Sequence, residues 1–224
     1  MAVPEQRPAL PDQISELTTA RLSVYLRALD QLAAAGTRTI ASAALAERFG
    51  FNAALIRKDL ACFGEFGVRG VGYDVEELRH HLRHILGLDR GLRLVIIGAG
   101  NLGLALADYP GFAADGFSVV GLFDVAPAKV GTRSRGGIAI RHVDDLPSLI
   151  DREAVDIAVV AVPRAAAQRT VDCAVAAGIR AILIFSPGTV RVPPGVKVKS
   201  VDVTLSLESL SFFLANERHA PKPD

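Results

Sequence analysis

The chain has 224 residues, half of them hydrophobic, and 25 Lys and Arg against 24 Asp and Glu give a formal net charge of +1. That length supports one large domain or a small and a medium one, and the near-neutral balance excludes a polybasic chain that holds nucleic acid by net charge alone. The longest uncharged apolar stretches, such as Ile157–Val162, fall far short of the roughly 20 residues of a membrane helix, and the first residues contain no signal-peptide core. A soluble cytoplasmic protein with reduced thiols is expected. Its two cysteines, Cys62 and Cys173, lack CxxC spacing and read as core fillers, and no metal-ligand pattern is visible.

Residues 1–14 form a proline-containing tail expected to be disordered. Thr18 or Thr19 then caps a helix running to Ala35 and closed by Gly36, with Leu22, Leu26, Leu29, Leu32 and Ala33 as its apolar stripe. Ser42 is the expected N-cap of a short helix carrying Leu45 and Phe49 and stopped at Gly50. Asn52 caps the next, which runs to Phe63 and stops at Gly64. Two short helices joined by a Gly-containing turn read as helix-turn-helix. In the second, Ile56, Leu60 and Phe63 share the inner face, Ala54, Lys58 and Ala61 point away, and Arg57 lies at the margin.

Small residues beside two cations suit close approach to a major groove, where Arg57 and Lys58 reach base edges or phosphates; an ordinary solvated face is the alternative. The glycine-dense segment Gly64–Tyr73 follows, with Phe66, Val68, Val71 and Tyr73 flanking a hairpin and Arg69-Gly70 at its tip, as in the wing of a winged helix entering a minor groove. Asp74-Val-Glu-Glu77 resembles a capping box and opens a helix to about Leu86, carrying His80, His81 and His84, before a Gly87–Gly91 linker. Residues 1–90 contain 11 basic and 11 acidic residues, so local placement of Arg57, Lys58, Phe66, Arg69 and Gly70 has to carry DNA binding.

From Leu92 the chain alternates strands (92–97, 117–123, 137–141, 155–161, 181–185, 196–202) with helices (101–109, 144–151, 164–177), which is the grammar of a doubly wound parallel sheet. Between the first strand and its helix stands Gly98-Ala99-Gly100-Asn101-Leu102-Gly103, a GxGxxG turn suited to a pyrophosphate. Asp124, 21 residues after Gly103, ends the second strand, where a carboxylate accepts hydrogen bonds from ribose hydroxyls and repels a 2′-phosphate. NAD(H) is therefore preferred, although Lys129, Arg133 and Arg135 nearby keep NADP open and Asp124 can instead cap the turn at Ala126-Pro127. The strand ends bring Gly98, Asp124, Ala161-Val162-Pro163 and Ser186-Pro187-Gly188 to one edge, with Lys129, Val162 and Pro163 as further cofactor contacts. Leu205, Leu207, Leu210, Phe212, Phe213 and Leu214 make a last helix apolar over most of its surface, which buries against a partner or packs on its own sheet.

Ile56-Arg-Lys-Asp-Leu60, Phe63-Gly-Glu-Phe-Gly67, Arg69-Gly-Val-Gly-Tyr73 and Gly98-Ala-Gly-Asn-Leu-Gly103 together resemble the Rex family of redox-sensing transcriptional repressors, over roughly residues 15–215. The resemblance implies a winged-helix DNA-binding domain at 15–87, a Rossmann NAD(H)-binding domain at 88–203, a dimerisation helix at 204–217 exchanged between subunits, and a tail at 218–224. It implies a homodimer on an inverted-repeat operator, released when NADH binds, with NAD⁺ competing without releasing. It also implies a polar contact linking domains at Arg27, Tyr109 and Asp202, each with a plainer reading as surface charge, packing under Pro110 and helix-terminal acid. A small NAD-dependent oxidoreductase or a CoA-binding Rossmann protein is the alternative; the chain has no visible catalytic acid, base or substrate domain, and neither alternative needs the wing or Arg57-Lys58.

Overall fold

Ser15, not Thr18 or Thr19, caps the first helix: its hydroxyl accepts the Thr18 N–H at 3.1 Å, so α1 spans Glu16–Ala34 and Thr18 falls inside the first turn. The structure, a computed structural model, describes residues 14–68 and 70–217; the expectations for the N-terminal tail before residue 14, for Arg69 and for the tail at 218–224 lie outside it. The chain divides after Arg90 into two compact units.

In the first unit, α1 buries Leu22, Tyr25, Leu26, Ala28, Leu29 and Leu32. β1 (Thr39–Ile40), α2 (Ser42–Phe49), α3 (Ala53–Ala61), β2 (Tyr73–Asp74) and α4 (Val75–Ile85) follow. The buried face of α4, Val75, Leu78 and Leu82, joins α1 and the inner residues of α2 and α3, Leu45, Ile56 and Leu60, in one core. Asp74 caps α4 by accepting the Glu77 N–H at 2.9 Å, as its D-x-x-E spacing predicts.

The expected hairpin is shorter than Phe66–Tyr73. Among its described residues only Val68 and Gly72 bridge, while Tyr73 and Asp74 pair instead with Ile40 and Thr39 at the edge of β1.

In the second unit, β3 (Leu92–Ile97), α5 (Asn101–Ala107), α6 (Pro110–Ala114), β4 (Phe117–Asp124), β5 (Ile140–His142), α7 (Leu146–Arg152), β6 (Ile157–Val160), α8 (Arg164–Ala176), β7 (Ala181–Ile184) and β8 (Lys197–Ser200) build a six-stranded sheet in the order β5-β4-β3-β6-β7-β8. Every pairing is parallel. One face, with Val95, Ile97, Phe123, Ala158 and Val160, packs on α7 and α8; the other, with Leu94, Ile96, Leu122 and Val159, meets Ala107 of α5 and Phe112 of α6. The strand expected at 137–141 shifts to Ile140–His142, because Ser134 and Gly137 form a tight turn and Arg133 bridges Ala139.

The last helix, α9 (Val203–Glu217), exposes its apolar residues: Leu205 is 64% accessible and Phe212 73%. The expectation that both cysteines are core fillers is corrected. Cys62 is exposed, because it stands at the C-cap of α3 with its thiol donating to the Lys58 carbonyl, whereas Cys173 is half-buried and burial raises its thiol pKa.

Candidate functional site

In the helix-turn-helix, Gly50 takes a left-handed conformation (φ 70°) that ends α2, and Asn52 then accepts the N–H groups of Ala54 and Leu55 to start α3. This turns Ile56 and Leu60 inward and leaves Ala54, Arg57, Lys58 and Ala61 exposed, as the helical period requires. Ser42 is not the N-cap of α2; Ala41 holds that position, and the Ser42 hydroxyl accepts from Arg57 Nη1 at 2.8 Å, which fixes Arg57 against the start of α2. A cleft of about 500 Å³ lies between α3 and the hairpin, lined among others by Ser42, Arg57, Leu60, Phe66, Val68 and Gly70. At its outer edge Val68 and Val71 are exposed, and Val68 and Gly72 exchange backbone hydrogen bonds around Gly70. The Phe66 ring is half-buried, with its centroid 5.2 Å from that of His81.

One element of this surface is invisible to periodicity. Asp59, between the exposed Lys58 and the buried Leu60, is 3% exposed and turned inward. Its carboxylate accepts from Arg21 Nε at 2.5 Å and Arg21 Nη2 at 2.7 Å, and from the Tyr25 hydroxyl at 3.0 Å. The Arg21 hydrogen bonds, with help from Tyr25, overcome burial and hold the Asp59 carboxyl below the usual carboxylate value; burial and Asp59 together push the Tyr25 phenol up to about 12. α3 is thus keyed to α1 by a polar clamp directly beneath Lys58.

In the second unit the glycine turn follows β3 at the centre of the sheet. Gly98 adopts φ 108°, and a Cβ there would lie 2.3 Å from the Ala161 carbonyl oxygen; one on Gly103 would lie 1.8 Å from the Gly98 carbonyl oxygen. Gly100 differs: a Cβ on it would meet nothing within 4 Å, so open space stands over the turn at this glycine. Asn101 and Leu102 open α5 beside that space, both exposed, while Gly103 is buried against the strand.

Asp124 ends β4 next to this turn and is 9% exposed. Its Oδ2 accepts the Ala99 N–H at 2.8 Å and Lys129 Nζ at 3.0 Å; its Oδ1 accepts the Ala126 N–H at 2.8 Å. Burial alone would raise its pKa, but the hydrogen bonds from Ala126, Lys129 and Ala99 outweigh it and the carboxyl is held below the ordinary value. Asp124 therefore caps the following turn and clasps the glycine turn at once. A carboxylate has about four acceptor positions. With three taken, one acceptor position remains, on Oδ1.

Val162 is half-buried and contacts the position a Gly98 side chain would take, and Pro163 starts α8. Asp108, which the sequence reading did not single out, accepts from the Ser134 hydroxyl at 2.6 Å and the Gly136 N–H at 2.8 Å, pinning the loop before β5. Arg27 is exposed on α1, Tyr109 is 56% exposed and edge-on to Phe112, and Asp202 accepts the Thr204 N–H at 2.9 Å to start α9. No helix among the described residues is long and apolar enough to cross a membrane.

Two family models match the two units separately: a putative DNA-binding protein N-terminus over residues 13–61 and a CoA binding domain over residues 89–188. Among curated proteins, the redox-sensing transcriptional repressor Rex of Thermus thermophilus is 47% identical over 92% of this chain and 96% of its own length. That of Streptomyces avermitilis is 46% identical over 92% of this chain and 82% of its own. Among solved structures, RSP in complex with beta-NAD⁺ and operator DNA matches with TM-score 0.87 and 39% identity over 93% of this chain and 95% of that one. RSP in complex with beta-NADH matches with TM-score 0.82 and 38% identity over 93% and 97%. With relatives of this identity spanning both the helix-turn-helix and the nucleotide fold, the chain belongs to the Rex family of redox-sensing transcriptional repressors.

Proposed function

We propose that this protein is a cytoplasmic homodimeric repressor that binds an inverted-repeat operator through the first unit and leaves it when NADH binds the second. The observation that carries the reading is the presence, in one chain, of an exposed Arg57-Lys58 pair on a clamped second helix and of a glycine turn clasped to an ionised Asp124. In this reading Arg57 and Lys58 meet the major groove, while Phe66, Arg69 and Gly70 belong to the wing. Gly98, Gly100, Asn101, Leu102 and Gly103 receive the pyrophosphate, Asp124 and Lys129 the adenosine ribose, and Val162 and Pro163 the second nucleoside. The dinucleotide is a regulatory ligand: when bound it supplies the difference in ring charge between its oxidised and reduced forms, and no bond of it is made or broken.

The apolar surface of α9 supports the dimer. Seven residues between Val203 and Leu214 are each more than half accessible, which is unfavourable in water and satisfied by a second copy of the chain. Arg27, Tyr109 and Asp202 are assigned to the contact that couples the units. Release by NADH follows if NADH binds the DNA-incompetent arrangement more tightly than the DNA-competent one, since only differential affinity moves such an equilibrium. The test is a titration of inverted-repeat DNA fragments at fixed salt without nucleotide and with NADH, NAD⁺ or NADPH. Release by NADH alone is expected; DNA binding indifferent to every nucleotide would refute the redox assignment, and no DNA binding would refute the repressor.

A further inference from the structure

The hairpin between α3 and α4 is held differently on its two sides. Its return leg is fixed by backbone: Tyr73 and Asp74 pair with Ile40 and Thr39, the Val75 N–H donates to the Arg38 carbonyl at 2.9 Å, and a Cβ on Gly72 would lie 2.4 Å from the Ile40 carbonyl oxygen. Its outgoing leg, residues 64–67, has no such strand pairing among the described residues. Phe66 supplies the contact instead. Its ring lies across Gly64, where a Cβ would stand 3.3 Å from Phe66 Cζ, and packs on the core of the first unit. On α4 it meets the buried Leu78 and the His81 ring, whose centroid is 5.2 Å away at an interplanar angle of 49°. His81 has its side chain 41% accessible, with Glu77 Oε1 3.9 Å from its Nε2 and the His80 ring centroid 6.2 Å off, so its imidazole closes the outer side of the Phe66 seat. The two legs are locked together, since a Cβ on Gly67 would lie 2.7 Å from Tyr73 Cδ1, and the orientation of the root is passed to the tip.

We propose that His81 is a positioning residue for DNA recognition: its ring holds Phe66 in its seat and so sets the angle at which the hairpin meets the minor groove. The assignment rests on the repressor reading above, and it makes Phe66 the anchor beneath the wing instead of a DNA contact. One backbone attachment and one aromatic attachment fix a hairpin that the backbone attachment alone leaves free to pivot. The minor groove is only about 6 Å wide, so a small rotation at the root displaces the tip from it.

The experiment measures, at fixed salt, binding of the full-length protein, His81→Ala and His81→Phe to the inverted-repeat fragment that the unsubstituted protein selects from a randomised duplex pool with A·T flanks. Each fragment is made with adenine and with diaminopurine in the flanks, which adds to A·T the minor-groove amino group of G·C and keeps the major-groove hydrogen-bonding edge. Loss of one aromatic pair predicts an affinity lower by about two- to tenfold in His81→Ala, restored in His81→Phe. The unsubstituted protein and His81→Phe discriminate against diaminopurine, His81→Ala discriminates less, and NADH affinity is the same for all three. Undiminished affinity in His81→Ala, or no recovery in His81→Phe, overturns the assignment. Diaminopurine discrimination that survives in full in His81→Ala also overturns it, since the ring would then support the fold and not the approach of the wing. If the unsubstituted protein binds without discriminating, the wing is not in the minor groove and the assignment falls; if it selects no fragment, the repressor reading itself falls and this assignment with it.

Discussion

Replacing Asp59 by Ala isolates the clamp that holds α3 on α1. The substitution removes two Arg21 hydrogen bonds and one from Tyr25, and leaves two groups behind. The Tyr25 hydroxyl, on a residue 3% exposed, is stranded at a cost of about 1–3 kcal/mol. The Arg21 side chain is 31% accessible and can partly rehydrate, so its share stays below the 3–5 kcal/mol typical of breaking a fully buried pair. A total near 3 kcal/mol follows, which for a domain of this size lowers the melting temperature by roughly 10–20 °C. Tyr25→Phe, which keeps the Arg21–Asp59 pair, should cost only about 1 kcal/mol. The assay is thermal and urea unfolding followed by circular dichroism, with NADH binding as the control for the second unit. Because the Asp59 pKa is lowered in the folded state, its contribution is complete above the ordinary carboxylate value and lost as pH falls through the folded value. The gap between the unsubstituted protein and Asp59→Ala should therefore close in acid below about pH 4. A loss under 1 kcal/mol at neutral pH, or a gap that widens in acid, would refute the clamp.

Arg57→Ala and Lys58→Ala should each weaken operator binding, with the salt dependence falling by about one unit of slope where a phosphate contact is lost, and leave NADH affinity unchanged by calorimetry. Equal loss of both activities would sink the division of labour. Asp124→Ala removes the clasp on Ala99 and, in the proposed reading, a charged acceptor for the ribose, so NADH affinity should drop by tenfold or more, on the scale of about 1.5–3 kcal/mol for a charged hydrogen bond, and more NADH should be needed to release DNA. Phe213→Glu places a charge on the apolar face of α9 and should shift the protein toward monomer in sedimentation; an unaltered dimer would show that α9 is not the interface.

The parts legible in the sequence were those written in periodicity and glycine spacing. The stripe Leu22-Leu26-Leu29-Leu32, the inward Ile56 and Leu60 and the turn from Gly98 to Gly103 lie as expected, because burial of a helix face and close backbone approach leave local marks. Asp59 left none. A carboxylate next to Arg57 and Lys58 reads as part of a solvated charge run, and its partner Arg21 stands 38 residues away. Cys62 went astray for the related reason that α3 ends at Ala61, so the apolar phase of the helix no longer governs the next residue. The hairpin residues Tyr73 and Asp74 pair with β1, a contact set by the path of the chain across more than thirty intervening residues. Ser186 was visible as a strand-end residue, but its unpaired hydroxyl exists only once the sheet has closed around it.

The geometry of Asp124 also limits where redox discrimination can reside. Its carboxylate already clasps Ala99 and Ala126, so the turn and the proposed ribose acceptor are organised before any ligand arrives. NADH and NAD⁺ are identical from the adenine through the pyrophosphate. Every contact made at Asp124, Lys129 or the glycine turn therefore adds the same free energy to both and cancels from the ratio of their affinities. A ligand shifts a conformational equilibrium only by its differential interactions, and differences between two ligands arise only where their atoms differ. The nicotinamide ring, which the proposed reading puts at the ends of β6 and β7, is the sole place where they do. The adenosine half sets how much dinucleotide is bound. In the proposed reading, the residues beyond Val160 and Ile184 are where discrimination between the redox forms has to arise.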